Sequence, residues 1–320
     1  MKIAVLLLAA GGRQYLRYTT AAISFLCILV AGCVTSAPPL GEPSSESMQL
    51  KNGYAARLLR LQAQGRMRTD DGADIPVSIA KLAEDFERIV FFDEHIMRNG
   101  RLIASRTEQP LRRWQMPIRY RVIHGALSDA NTIAYDRAAV GRFASRLARL
   151  TGLSIEPAGK QKANFLILFL NIDEQQSIAP RLSKLMHNVD QAARDSVIQS
   201  IASSSRSAFC AGYTLSSKAI PDTYTFSVIH IRSEHPPLGR LSCIHEEMAQ
   251  AMGLANDSPT ARPSIFNDDQ EFALLTRHDE QLLRMLYDSR LKPGMHADEA
   301  HSILKTIARE YSSISSSPQN

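Results

Sequence analysis

The first sustained periodicity runs from Val77 to Ile96, where Ile79, Leu82, Phe86, Ile89 and Val90 recur at three- and four-residue spacings. That spacing predicts a helix with one apolar face. The arginine-rich stretch that follows, to Trp114, reads as a loop. Ile118 to Ile123 alternates apolar and polar residues, the period of a strand. Asp129 is placed to cap a helix carrying Val140, Phe143, Leu147 and Leu150 on one face and ending at Thr151-Gly152. Asn164 to Asn171 is apolar almost without interruption and predicts a central strand. Ile178 to Ile201 is helical with a break near Asn188, and Ser203 to Ser207 is a serine-rich loop. Cys210–Leu215 and Tyr224–Ile231 are two further strands, and Pro236-Pro237 breaks the chain. From Leu238 to Met252 a helical face is formed by Leu241, Ile244, Met248, Ala251 and Met252, with Gly253 placed to end it. Asp279–Tyr287 and Ala297–Tyr311 complete the helices. Residues 48–75 are mixed and polar and read as tether plus a short helix. The order predicts a single α+β domain, a mixed sheet backed by long helices.

The N-terminal segment sits outside this pattern. Residues 1–32 contain no Asp or Glu, carry Lys2, Arg13 and Arg17, and hold a short apolar run from Ala21 to Val30. Ten apolar residues fall short of the roughly 20 that span a bilayer. Basic residues followed by a short apolar run are the layout of a secretory signal peptide. The run closes in Val30-Ala31-Gly32-Cys33, which resembles a bacterial lipobox with Cys33 as the lipidated residue. The Ser, Pro and Gly that follow suit a flexible tether. The expected layout is a lipoprotein signal peptide over 1–32, a tether over 33–75, a domain over 76–295, and a C-terminal helix with polar tail over 296–320.

This changes the meaning of the charge. The whole chain carries a formal +5 with a pI near 9.1, a balance that suggests nucleic acid. Without the leader's three cations the net charge is +2, and the densest remaining basic patch is Arg112-Arg113 with Arg119 and Arg121. No nucleic-acid partner is expected. The cysteines sort the same way. Cys27 leaves with the leader and Cys33 is the anchor. Cys210 and Cys243, in an oxidising envelope, are either one disulfide or two separate buried thiols.

One segment carries candidate chemistry: Cys243 to Asp257, CIHEEMAQAMGLAND. Zinc peptidases of the HExxH type place two His at i and i+4 on one helical face, with a Glu beside the first to polarise the metal-bound water. Read from Glu246, this chain has E-E-x-x-Q-x-x-G-L-x-N-D. Glu246 takes the first ligand position, Glu247 the catalytic Glu, Gln250 the second ligand and Gly253 the turn. Asn256 falls at the third ligand position, with Asp257 next to it. The blocks CIHEEMAQAMGLANDS, SIFNDD and LTRHDEQLLRMLYDSRLKPGM resemble the bacterial family named domain of unknown function 2927, whose members are secreted or lipid-anchored and metzincin-like. The resemblance implies a metzincin-like (zincin) fold and supplies no activity.

Both motif histidines are replaced. Glu and Gln offer oxygen ligands, which suit harder ions than zinc, so a divalent cation, zinc or calcium, is a possible cofactor rather than an expected one. Two readings stand. In the first, the site is degenerate and the domain binds an envelope protein or peptidoglycan. In the second, Glu247 acts as general base in a hydrolase of peptide or peptidoglycan bonds. His245 and His230 read as packed or hydrogen-bonded histidines, Asp279 as a helix cap, Asn267-Asp268-Asp269 as a solvated turn rather than a Ca²⁺ site, and Trp114 as an anchor. Val34 after the cysteine is not Asp, which by resemblance to enterobacterial sorting favours the outer membrane, facing the periplasm. Replacing Cys33→Ala is expected to release the protein from membranes or stall its processing; unchanged localisation by fractionation would refute the lipobox.

Overall fold

The computed structural model describes residues 41–98, 101–206 and 208–315; the leader, Cys33 and the end of the polar tail lie outside the described residues. In chain order the elements are α1 (Ser45–Ala63), α2 (Ile79–Val90), β1 (Phe92–Arg98), β2 (Arg101–Glu108), β3 (Arg113–Trp114), β4 (Ile118–His124), α3 (Ala130–Thr151), β5 (Ile155–Pro157) and β6 (Phe165–Leu170). They continue with α4 (Ile172–Gln175), α5 (Ala179–Leu185), α6 (Gln191–Ala202), β7 (Cys210–Ser217), β8 (Ile220–Arg232), α7 (Pro237–Gln250), α8 (Arg277–Leu286) and α9 (Ala297–Ser315).

The sheet runs β5-β4-β6-β8 in parallel, and β7 is antiparallel to β8 at its end. Short β3 pairs in parallel with Thr223 and Tyr224 of β8. The apolar run 165–170 is the central strand, buried at every residue. A strand buried on both faces needs no polar alternation. Phe165, Ile167 and Phe169 enter a large core with α2, α3, α7, α8 and α9. Leu166, Leu168 and Leu170 enter a smaller one with α5 and α6. The fold is thus a mixed α/β layer structure with helices on both sheet faces.

Local signals place several boundaries. Asp129 accepts a hydrogen bond from Thr132 N, and Gly152 ends α3 in the left-handed conformation. The helical stretch 178–201 breaks at Met186–Asp190, between α5 and α6.

Three expectations are corrected. The helix beginning near Val77 ends at Val90, not Ile96: Phe91 is fully buried and Phe92–Arg98 pairs antiparallel with Arg101–Glu108. Arg98 stands opposite Arg101, and Asn99-Gly100 in the sequence between them is a strong signal for a hairpin. The arginine-rich loop is therefore mostly strand. Second, Ile79 is exposed; the apolar face of α2 is Leu82, Phe86, Ile89 and Val90. Third, much of the stretch read as a tether is α1, a 19-residue helix capped by Ser44 and fastened to the domain. Leu50, Tyr54, Leu58 and Leu61 line one side at spacings of four, four and three, a stripe that a polar composition hides.

Cys210 and Cys243 form a disulfide, with Cα atoms 5.9 Å apart, joining β7 to α7 across 33 positions. On the loop-entropy account such a bridge stabilises by about 3–4 kcal/mol. A buried ion pair holds α7 from the other side: Arg240 Nε donates to Asp136 Oδ1 of α3 at 2.9 Å, and its Nη1 donates to His235 O. Removing either charge would strand the other in the core, at a cost of about 3–5 kcal/mol.

Three histidines are buried as neutral rings. Burial pushes His230 and His245 down to about 3 and His235 down to about 4. The unfolded chain binds protons at ordinary histidine pKa values while the fold refuses them, so stability falls as pH drops below about 6.5. Acidification from pH 7 to 5 is expected to cost about 2 kcal/mol per buried ring. Urea midpoints at the two pH values would show the loss. The imidazole NMR signals of these three rings should not titrate above pH 5 in the folded protein, and a titration near pH 6.5 would contradict the assignment.

Candidate functional site

Helix α7 begins at Pro237, after the Pro236 cap, and its register sets which side chains reach the surface. Ile244, Met248 and Ala249 go inward. His245 also goes inward: its ring stacks on Phe143 at 4.0 Å, and Nδ1 accepts from Leu275 N at 3.1 Å. It is a packed, hydrogen-bonded histidine. Glu246 and Glu247 leave that core face and line a groove with Cys210 of β7 and Asp257 of the loop after α7.

Glu247 is 95% buried. Its carboxylate lies against β7 where Gly212 leaves room; a Cβ there would come within 2.8 Å of Oε2. Tyr213 is pushed up to about 12, by burial first and by the Glu247 charge second.

Gly253 ends the helix with φ +121, and a Cβ there would stand 2.5 Å from the Arg112 carbonyl oxygen. Glycine alone meets both demands. Trp114 Nε1 donates to Ala251 O at 2.8 Å, and Tyr287 Oη donates to Met252 O at 2.9 Å, so buried carbonyls just past the helix end are satisfied by side chains. Trp114 is the anchor expected of it. The chain then turns back. Asn256 N donates to Ile89 O, and its Nδ2 donates to Arg88 O and Asp257 O. Asn256 is thereby fastened to the end of α2. Gln250 Nε2 donates to Asp257 Oδ1 at 3.2 Å.

Glu246, Glu247 and Asp257 line one groove of about 490 Å³. Gln250 and Asn256 do not line it. Asn267 and Asp268 do; Asn267 Oδ1 and Asp269 Oδ1 also cap the turn, accepting from Asp269 N and Glu271 N. Asp279 accepts from Ser264 Oγ, Ile265 N, Thr276 N and Thr276 Oγ1. It caps α8 and also pins the long 251–276 loop that forms part of the groove wall. Among the described residues, no group of three or more His, Cys, Asp or Glu could hold a metal ion. Glu246 and Gln250 offer only oxygen donors on this side and Asn256 is committed to α2, so the residues present do not fit a zinc centre.

The remaining wall was missed by sequence reasoning. Tyr54, Arg57, Leu58 and Leu61 of α1 close the groove from the side opposite α7. Tyr54 stacks on His235 at 4.2 Å and donates to Arg206 O at 3.0 Å. Arg57 lies over Phe209 at 4.9 Å and donates to Gln270 Oε1 at 2.8 Å. Ser47 Oγ donates to the buried Glu234 at 3.1 Å.

A family model described as protein of unknown function (DUF2927) matches residues 79–306. The chain belongs to this family. No curated protein and no solved structure matches it. The DUF2927 region runs from α2 into α9 and contains all of α7, the Gly253 turn and the four carboxylates of the groove. Helix α1 lies before it, so this groove is built partly from the DUF2927 region and partly from the segment ahead of it.

Gly253→Ala is expected to destabilise by about 2–4 kcal/mol, since the new methyl both strains the backbone and meets the Arg112 carbonyl. Denaturant melts would measure this; a change under about 0.5 kcal/mol would mean the turn relaxes freely.

Proposed function

We propose that this is a lipid-anchored cell-envelope protein whose metzincin-like domain has kept the cleft of a peptidase and uses it for binding. The observation that carries this reading is the groove itself. Of its four carboxylates, Glu246 and Glu247 lie on α7 and Asp257 just past the Gly253 turn, and the fourth is Asp268. The first three fall on or beside the positions that the motif reading gives to ligands and base, without its histidines. The sheet order supports the architecture: four parallel strands with an antiparallel edge strand, β7, paired to β8, the strand that leads into the site helix. That edge carries no further strand among the described residues, and an extended ligand segment can add to such an edge through main-chain hydrogen bonds.

The carboxylates favour a ligand with positively charged groups. In the envelope, the amine-bearing peptides of peptidoglycan offer that chemistry, as does a basic segment of an envelope protein. Peptidoglycan is the ligand proposed. The second reading keeps Glu247 as a general base in a hydrolase, and its burial beside Tyr213 is what favours it.

Co-sedimentation with purified sacculi separates these. The protein is expected to sediment with sacculi, Glu246→Gln with Asp257→Asn to weaken this about tenfold, and the released muropeptide profile to stay unchanged. Cleavage products that vanish in Glu247→Gln would establish the hydrolase instead. Absence of sacculus binding would remove peptidoglycan as the ligand.

A further inference from the structure

A second concave site lies apart from the groove and shares no residue with it. It is a cleft of about 170 Å³ between β4, the loop after β5 and the end of α5. Arg121, Lys160, Lys162, Lys184 and His187 line it, with Gln161, Ala163 and Leu185, and no Asp or Glu does. Elsewhere the described cations are commonly matched to carboxylates: Arg68, Arg112, Arg146, Arg262, Arg277 and Arg290 all have acidic partners. Four cations gathered around one hollow without a carboxylate repel one another, and an anion in the hollow removes that repulsion.

The site is built rather than draped. Ala158 N donates to Tyr120 O, Asn164 N to Arg119 O, and Arg119 N to Asn164 Oδ1, so both ends of the 158–164 loop are tied to β4. Arg121 Nη2 donates to Gln161 O at 2.8 Å and fixes the loop's middle. Lys160 and Lys162 are carried on this pinned loop. Lys162 Nζ lies 2.9 Å from His187 Nε2 and donates to it, which leaves Nδ1–H to donate to Lys184 O at 3.2 Å. The loop and the end of α5 are thereby joined across the cleft.

We propose that this cleft binds a phosphate group. Arg121 spends part of its planar fork on carbonyls, so the free charges are lysine ammoniums arriving from separate elements. Point donors from several directions suit a tetrahedral, many-oxygen anion better than a planar carboxylate. The volume is below the roughly 300–1,000 Å³ that encloses a whole small molecule, so the phosphate enters as a headgroup or a small ester. The source is either a soluble phosphate compound or an anionic phospholipid.

The test uses the full chain carrying Cys33→Ala, so that no acyl chain contributes. At low salt, glycerol 3-phosphate is titrated calorimetrically. Flotation is run with phosphatidylcholine vesicles with and without phosphatidylglycerol. Lys162→Gln with Lys184→Gln is expected to weaken binding at least about tenfold, the loss of two charge-assisted hydrogen bonds. Lys218→Gln, on an exposed lysine outside the cleft, should leave it unchanged. Binding of glycerol 3-phosphate identifies soluble phosphates; flotation only with phosphatidylglycerol identifies the lipid headgroup. No binding in either arm, or equal binding by the cleft variant, overturns the proposal.

Discussion

The close approach of Gly253 to the Arg112 carbonyl decides where α7 stops, and the site follows from that stop. A helix that ran on would leave Trp114 and Tyr287 without the Ala251 and Met252 carbonyls they hold. It would also carry Asn256 away from the end of α2. Because the chain turns at Gly253, Asp257 returns to the side of the helix that bears Glu246 and Glu247. One backbone position that only glycine tolerates thus converts a linear run of polar residues into a carboxylate-lined groove.

Around that turn, α7 is held from several directions by interactions of different kinds. The disulfide joins it to β7, the Arg240–Asp136 pair joins it to α3, and His245 lies flat on Phe143 beneath it. The histidine that looks most like a motif residue is therefore a core residue. Its neighbour Glu246, one position on and about 100° around the helix, reaches the groove.

The groove's far wall belongs to α1, the segment nearest the proposed anchor. Its grip is polar and aromatic rather than a deep apolar seam: Tyr54 on His235, Arg57 on Phe209 and Gln270, Ser47 on Glu234. Of the residues of α1, Ser47 and Tyr54 are buried. The two walls accordingly have different physical character, α7 fixed in the core and α1 attached along one stripe.

Much of the fold was legible in the sequence because it rests on local rules. Period-two and period-3.6 patterns located β4, β8, α3 and α7, and an unbroken apolar run located β6. The cap at Asp129 and the glycines at 152 and 253 gave boundaries, Asp279, read as a cap, shares a capping box with Thr276 one turn earlier, and Cys210 and Cys243 are joined. The α7 register already put Glu246 and Glu247 side by side. Tertiary structure decided what local pattern cannot. It turned Phe92–Arg98 into a strand by pairing it with Arg101–Glu108. It committed Asn256 to α2 by hydrogen bonds to residues more than 160 positions away. It brought Tyr54 and Arg57 to the groove, and lysines from a loop and from α5 to one cleft. Each of these depends on partners distant in sequence, whose identity no periodicity encodes.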